Sequence, residues 1–203
     1  SNFINIINIC RKYIYKFMDR KFVTFLEETL INHVQKITRF RDEIIIEVNV
    51  SDLKKTILFL KDHENCLFKL LVDLFAVDYP TKENRFELIY CLLSTKYNSR
   101  IKIKTFVDEF TPVESIVDLY QSANWLEREV WDMNGIYIEQ HPDLRRILTD
   151  YGFEGYPLRK DFPLSGYTEV RYDDSQKRVI SEPIELSQEF RVFNFNSPWE
   201  SKE

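Results

Sequence analysis

Six consecutive residues, His141-Pro142-Asp143-Leu144-Arg145-Arg146, gather an imidazole, a carboxylate and two guanidiniums in one short stretch. General acid–base hydrolysis draws on such groups, and a free-standing hydrolase could use His141 with Asp143 or Asp150. A hydrolytic site also needs a nucleophile or a cofactor, and none follows at an informative spacing. Pro142 restricts the chain on both sides, which suits a fixed turn, and the planar guanidiniums of Arg145 and Arg146 suit carboxylate pairing at an interface. The same choice arises at Glu127-Arg128-Glu129-Val130-Trp131-Asp132. Arg128 and Asp132 stand four apart and can pair along a helix, while Leu126, Val130 and Met133 form its buried stripe. The charges therefore read as a solvated or interface face ahead of an acid–base centre.

Other clusters carry weaker chemistry. Gly152-Phe153-Glu154-Gly155 lacks the closing Gly-Lys-Ser/Thr of a phosphate loop and the Gly-x-Gly-x-x-Gly of a dinucleotide fold, so its glycines read as turn residues beside bulky aromatics. Arg159-Lys160-Asp161 and Tyr172-Asp173-Asp174 are dense mixed-sign groups suited to turns and interfaces; two adjacent carboxylates are a poor cation site on their own. Cys10, Cys66 and Cys91 lie far apart and only three histidines are present, whereas zinc and iron–sulfur sites need clustered ligands. The thiols read as small buried apolar residues in a reducing compartment. No metal, flavin or nucleotide is expected on this chain.

Several elements must position these groups. Phe22, Leu26, Leu30, Val34 and Ile37 recur at spacings of three and four, which predicts one amphipathic helix over 22–40. Residues 43–50 are β-branched and predict a strand, with Ser51 as N-cap of a helix carrying Leu53, Ile57 and Leu60. Three apolar runs, 67–77, 86–93 and 101–107, separated by short polar breaks, predict an antiparallel meander. Thr111-Pro112 opens an expected helix through Val113, Ile116, Val117 and Tyr120, and a second helix over 125–134 is closed by Gly135.

Beyond Gly135 neither helical nor long alternating periodicity persists, so the chain reads as irregular. Yet residues 136–203 hold 11 aromatics, which a solvated linker would lack. Residues 125–203 also carry 16 acidic against 10 basic side chains. The division expected is a basic N-terminal extension over 1–21, an α+β domain over 22–135 with a mostly antiparallel sheet packed by helices, and a partner-wrapping arm over 136–203. The whole chain has 44% hydrophobic and 30% charged residues and a net charge of −5. It folds, and it lacks the positive field that draws nucleic acid. No run reaches the roughly 20 apolar residues of a spanning helix. The segment from Phe3 to Lys21 fits a docking helix or a targeting peptide.

These residues also carry a resemblance. Trp125-Leu126-Glu127-Arg128-Glu129-Val130-Trp131-Asp132-Met133, the run from His141 to Phe153, Pro157-Leu158-Arg159-Lys160-Asp161-Phe162-Pro163-Leu164 and Glu169-Val170-Arg171-Tyr172-Asp173 resemble the 30 kDa subunit family of respiratory complex I, mitochondrial type. Val77-Asp78-Tyr79-Pro80, Glu182-Pro183 and Phe195-x-Ser197-Pro198-Trp199 extend it. Asn134 departs from it, because the family usually has phenylalanine or another apolar residue there. The resemblance implies a core scaffold subunit in the peripheral, quinone-reducing arm of H+-translocating NADH:ubiquinone oxidoreductase, on the matrix side of the mitochondrial inner membrane. It implies no catalytic residue and no cofactor in this chain, with FMN, iron–sulfur clusters and ubiquinone in neighbouring subunits. The implied partner is the hydrogenase-like large subunit, wrapped by the C-terminal arm; the equivalent subunit of a membrane-bound hydrogenase is the alternative. The expected partner contacts are Glu127, Arg128, Glu129, Asp132, His141, Arg145, Arg146, Tyr151, Phe153, Arg159, Lys160, Asp161, Phe162, Tyr172 and Trp199.

Overall fold

The computed structural model describes residues 21–40, 43–193, 195, 197 and 199. Apart from Lys21, the expected basic extension lies outside the described residues. The remainder forms two compact units, one ending at Phe162 and one beginning at Pro163. The first therefore runs 27 residues past Gly135, where the sequence suggested that the arm begins.

Helix α1 (residues 21–29) is only the first half of the helix expected over 22–40. His33 N–H and Val34 N–H both return to Leu30 O, closing a turn, and Val34–Phe40 is strand β1. The spacing of Leu30, Val34 and Ile37 fitted both structures. What decided it is β2 (Glu43–Val48), whose β-branched Ile44, Ile45 and Ile46 pair antiparallel with Arg39, Thr38 and Ile37. A single turn over Val50–Asp52 then leads into α2 (Leu53–Asp62), one residue later than the Ser51 cap suggested. Leu53, Ile57 and Leu60 are fully buried on one face of α2.

The meander is present as β3 (Leu70–Asp78), β4 (Phe86–Ser94) and β5 (Ser99–Val107). Both of its pairings are antiparallel. Strand β2 joins β5 in parallel, with Ile44 opposite Ile101 and Ile46 opposite Ile103, giving the order β1-β2-β5-β4-β3. The sheet is mixed but mostly antiparallel. One side carries Ile44, Ile46, Leu88, Tyr90, Leu92, Ile101 and Ile103 into a single core with α2. Burying each such side chain is worth about 1.5–3 kcal/mol, so this face fixes the register.

The helix expected after Pro112 is absent. Val113–Glu114 form strand β6 instead, pairing in parallel with β7 (Ile138–Glu139). Val113 N–H donates to Tyr137 O and Ser115 N–H to Glu139 O, so the backbone is already committed across the fold, and only one turn at 116–120 remains helical. Helix α3 (Ala123–Asn134) matches its expectation, and Gly135 closes it at φ +76°. A Cβ on Gly135 would lie 2.7 Å from the Tyr156 ring and Arg159, so glycine is required by conformation and by space.

The second unit holds a hairpin where the sequence predicts irregular chain: β8 (Thr168–Asp173) and β9 (Arg178–Pro183), antiparallel from Thr168 opposite Pro183 to Asp173 opposite Arg178. Its turn is tied by Asp173 Oδ1, which accepts Ser175 N–H at 3.0 Å and the Ser175 hydroxyl at 2.7 Å. Residues 140–167 are irregular, as expected. No described helix is long and apolar enough to cross a membrane.

Candidate functional site

The charges of α3 point inward. Glu127 is 1% exposed and Asp132 fully buried, and Arg128 lies beside them, which corrects the reading of this face as solvated or interfacial. Only Glu129 stays outside. Arg128 does not pair with Asp132 as the four-residue spacing suggested: its Nε donates to Arg145 O at 3.1 Å and its Nη2 to Arg146 O at 3.3 Å. Asp132 Oδ2 accepts the successive N–H groups of Ile147 (3.1 Å), Leu148 (2.7 Å) and Thr149 (2.9 Å), while Oδ1 takes the Thr149 hydroxyl at 2.6 Å. Arg146 adds an ion pair at 3.6 Å. Although burial raises its pKa, these donors win and hold the Asp132 carboxyl below the usual range. Two side chains of one helix thus fasten the backbone of the turn that follows it.

Glu127 fastens the segment before the helix. Its Oε1 accepts Ile116 N–H at 2.8 Å and its Oε2 accepts the Ser115 hydroxyl at 2.6 Å. The ring of His141 is fully buried, with Nε2 3.8 Å from Glu127 Oε2 and 3.2 Å from Asn124 O. His141 Nδ1 accepts Asp143 N–H at 3.0 Å, which leaves Nε2 to carry the proton toward Asn124. Ser115, Glu127 and His141 thus meet in the wrong order for hydrolysis. The acid stands between serine and imidazole, and the imidazole does not reach the hydroxyl. The hydrolase reading through His141 loses its geometry here.

A cleft of about 360 Å³ opens beside this group, lined by Lys54, Ser115, Val117, Asp118, Gln140 and Pro142. Lys54 bridges Glu114 at 2.8 Å and Asp118 at 3.2 Å, and its bond to Glu114 raises its pKa, so it stays an ammonium and offers no base or nucleophile. Among the described residues no three His, Cys, Asp or Glu side chains converge as metal ligands. Burial pushes the Cys66 thiol up to about 11 and also raises Cys91, which fits thiols that pack rather than react.

A third knot joins the sheet to the end of the first unit. Asp78 and Arg85, at facing ends of β3 and its following loop, form a two-point pair at 2.7 and 2.9 Å. Arg85 also reaches Glu109 and, at 3.2 Å, Asp161. Asp78 Oδ2 accepts Lys160 N–H at 2.8 Å. Arg159 donates through Nε to Asn134 O at 2.7 Å and stacks over Tyr156 and Phe86. Sequence reading missed Asp78, Arg85, Glu109 and Ser115 as parts of this machinery. The signal available was the Val77-Asp78-Tyr79-Pro80 run, in which one carboxylate interrupts an otherwise apolar strand end.

The other expected contacts divide by exposure. Arg145 pairs with Asp143 at 2.9 Å on the surface, and Arg146 is held by Gly155 O and lies over Tyr156. Phe153 packs on Phe162, whose ring also fills the space against Gly155. Glu129, Arg145, Tyr151, Lys160, Asp161, Tyr172 and Trp199 are exposed, whereas Glu127, Arg128, Asp132 and His141 turn inward.

Burial, ahead of the opposing Ile116 and Ser115 bonds, raises the Glu127 pKa. Between the ordinary value of about 4.3 and the raised one, the folded state binds more protons than the unfolded, so this group's contribution to stability falls as pH rises through that window. Glu127→Gln is expected to remove that slope. Denaturant unfolding of both forms across pH should show the variant gaining on the parent as pH increases; parallel curves would show that Glu127 does not titrate there.

Residues 46–168 match the family described as respiratory-chain NADH dehydrogenase, 30 Kd subunit. The chain is 59% identical over 171 residues to NADH-ubiquinone oxidoreductase subunit 9 of Reclinomonas americana, covering 84% of each. It is 55% identical over 187 residues to NADH dehydrogenase (ubiquinone) iron-sulfur protein 3 of Beta trigyna, covering 91% of this chain and 97% of that one. Against the mitochondrial protein of that name from Candida albicans it is 50% identical over 202 residues, covering 98% and 72%. Among solved structures, a chain of the membrane-bound sulfane sulfur reductase, an archaeal respiratory membrane complex, aligns with a TM-score of 0.60 at 26% identity, covering 72% of this chain and 85% of that one.

Proposed function

The chain belongs to the family of the 30 kDa subunit of respiratory-chain NADH dehydrogenase, and we propose that it serves there as a scaffold that carries no cofactor and performs no catalytic step. It is a subunit of NADH:ubiquinone oxidoreductase, and relatives at 50–59% identity favour that assembly over the hydrogenase-type alternative. In this reading it sits at the matrix face of the mitochondrial inner membrane. The hydrogenase-like large subunit is its main partner, and FMN, iron–sulfur clusters and ubiquinone lie on neighbouring subunits.

The observation that carries the reading is the second unit. Phe195 is 90% and Trp199 81% exposed, and Phe190, Val192 and Phe193 are also open. Ordering such a segment costs about 1–2 kcal/mol per residue, so its aromatics must bury against another protein to stay fixed. Within the first unit, meanwhile, the groups able to do acid–base chemistry are spent on the chain's own turns. The test is purification in mild detergent with identification of the accompanying chains. Stoichiometric recovery in a large NADH-oxidising assembly, with the isolated chain inactive, is expected. Turnover by the purified monomer, or its recovery as a free protein, would overturn the scaffold role.

A further inference from the structure

The β8–β9 ribbon is chemically two-sided, and its covered side is the unexpected one. Directly opposed residues share a face. Thr168/Pro183, Val170/Ser181 and Tyr172/Val179 therefore lie on one side, and Glu169/Glu182, Arg171/Ile180 and Asp173/Arg178 on the other. The half-buried positions, Asp173, Ile180 and Glu182, all belong to the charged side. Every residue of the apolar side is exposed, Val170 at 63%, Tyr172 at 58% and Val179 at 64%.

The charged side is already satisfied within the ribbon. Arg171 donates through Nε and Nη2 to the two carboxylate oxygens of Glu182, both at 2.7 Å, which also relieves the opposition of Glu169 and Glu182. The apolar side has no such solution, and an isolated two-stranded ribbon is marginal in water. Charge narrows what can cover it. Residues 163–203 hold eight acidic against five basic side chains. Two of those basic groups, Arg171 and Lys177, are already paired to Glu182 and Asp174.

We infer that the Val170–Tyr172–Val179 face seats on an apolar strip of a neighbouring subunit bordered by lysine or arginine, while the half-buried Arg171–Glu182 face takes no part in that contact. This rests on the scaffold reading and adds to it which side of the ribbon binds and what the receiving surface is made of. Apolar burial supplies the affinity and the basic border selects the net-acidic segment.

The test is competitive incorporation into the assembled complex, with tagged variant and wild-type full-length chains expressed together. Val170→Lys with Val179→Lys should lower incorporation about tenfold or more, since each lost apolar contact and each added like charge weakens the seat. Arg178→Gln, on the charged face, should stay within about twofold of wild type by the same scale. Thermal unfolding of the free chains checks that the first unit is unchanged by either substitution. Equal losses from both faces, or none from the lysine pair, would overturn the assignment. A chain ending at Phe162 separates the two ideas: if it incorporates normally, the scaffold reading of the second unit fails. If it does not incorporate while the lysine pair does, only the choice of face fails.

Discussion

Asp132→Ala is expected to destabilise the first unit by about 3–5 kcal/mol, the range for removing one member of a buried, hydrogen-bonded charge pair. The carboxylate is fully buried and answers three successive backbone N–H groups, the Thr149 hydroxyl and Arg146. Alanine takes the acceptor from three backbone N–H groups and the Thr149 hydroxyl at once, and leaves Arg146 with Gly155 O alone outside the turn. For a unit of this size the thermal midpoint should fall by roughly 10 °C. Asp132→Asn keeps one acceptor oxygen and should cost less than half as much. The pH dependence has a definite sign: because the Asp132 pKa is lowered on folding, its contribution is present above the ordinary carboxylate value and is lost as pH falls through the folded one. A loss below about 1 kcal/mol from the alanine variant would mean that the 147–149 turn is held by something else.

The second large effect concerns where order ends in the free chain. Limited proteolysis should cut rapidly after Phe162 in the isolated protein and slow by at least roughly a hundredfold in the assembled complex, since opening of the second unit costs little without a partner and much with one. A version ending at Phe162 should keep the unfolding midpoint of the first unit and fail to assemble. That boundary is placed by Lys160 and Asp161, which are bound to Asp78 and Arg85, and by Phe162 packed on Phe153. A protease-resistant tail in the monomer would sink the docking role proposed for the second unit.

What the sequence disclosed followed how local the deciding contacts are. Helices α2 and α3, the β3–β4–β5 meander and the stop at Gly135 were legible because spacing, turn residues and glycine act within a few positions. Strand β1 was not, since Leu30, Val34 and Ile37 satisfy a helical stripe until β2 is considered as a partner. The segment after Pro112 failed for a similar reason: Glu127, eleven residues ahead of it, claims Ile116 N–H, and β7 claims its strand edge. Arg128 and Asp132 showed the limit most clearly. Their four-residue spacing licensed a pair, yet acceptors and donors 15–18 residues away took both side chains. The resemblance named the family from these residues but could not tell which of them faces inward.

The Asp78–Arg85–Asp161 knot also imposes an order on synthesis. Lys160 meets Asp78 across 82 residues of chain, so that contact cannot exist while the nascent polypeptide is still short. At about 5–20 residues per second, Asp161 follows Arg85 from the ribosome by roughly 4–15 s. During that interval Arg85 is not left bare, because Asp78, only seven residues before it, supplies both of its carboxylate oxygens. The sheet can therefore be completed and held with its guanidinium neutralised before the last part of the first unit appears. Residues 156–162 then close onto a surface already built, as a late latch in the order of folding.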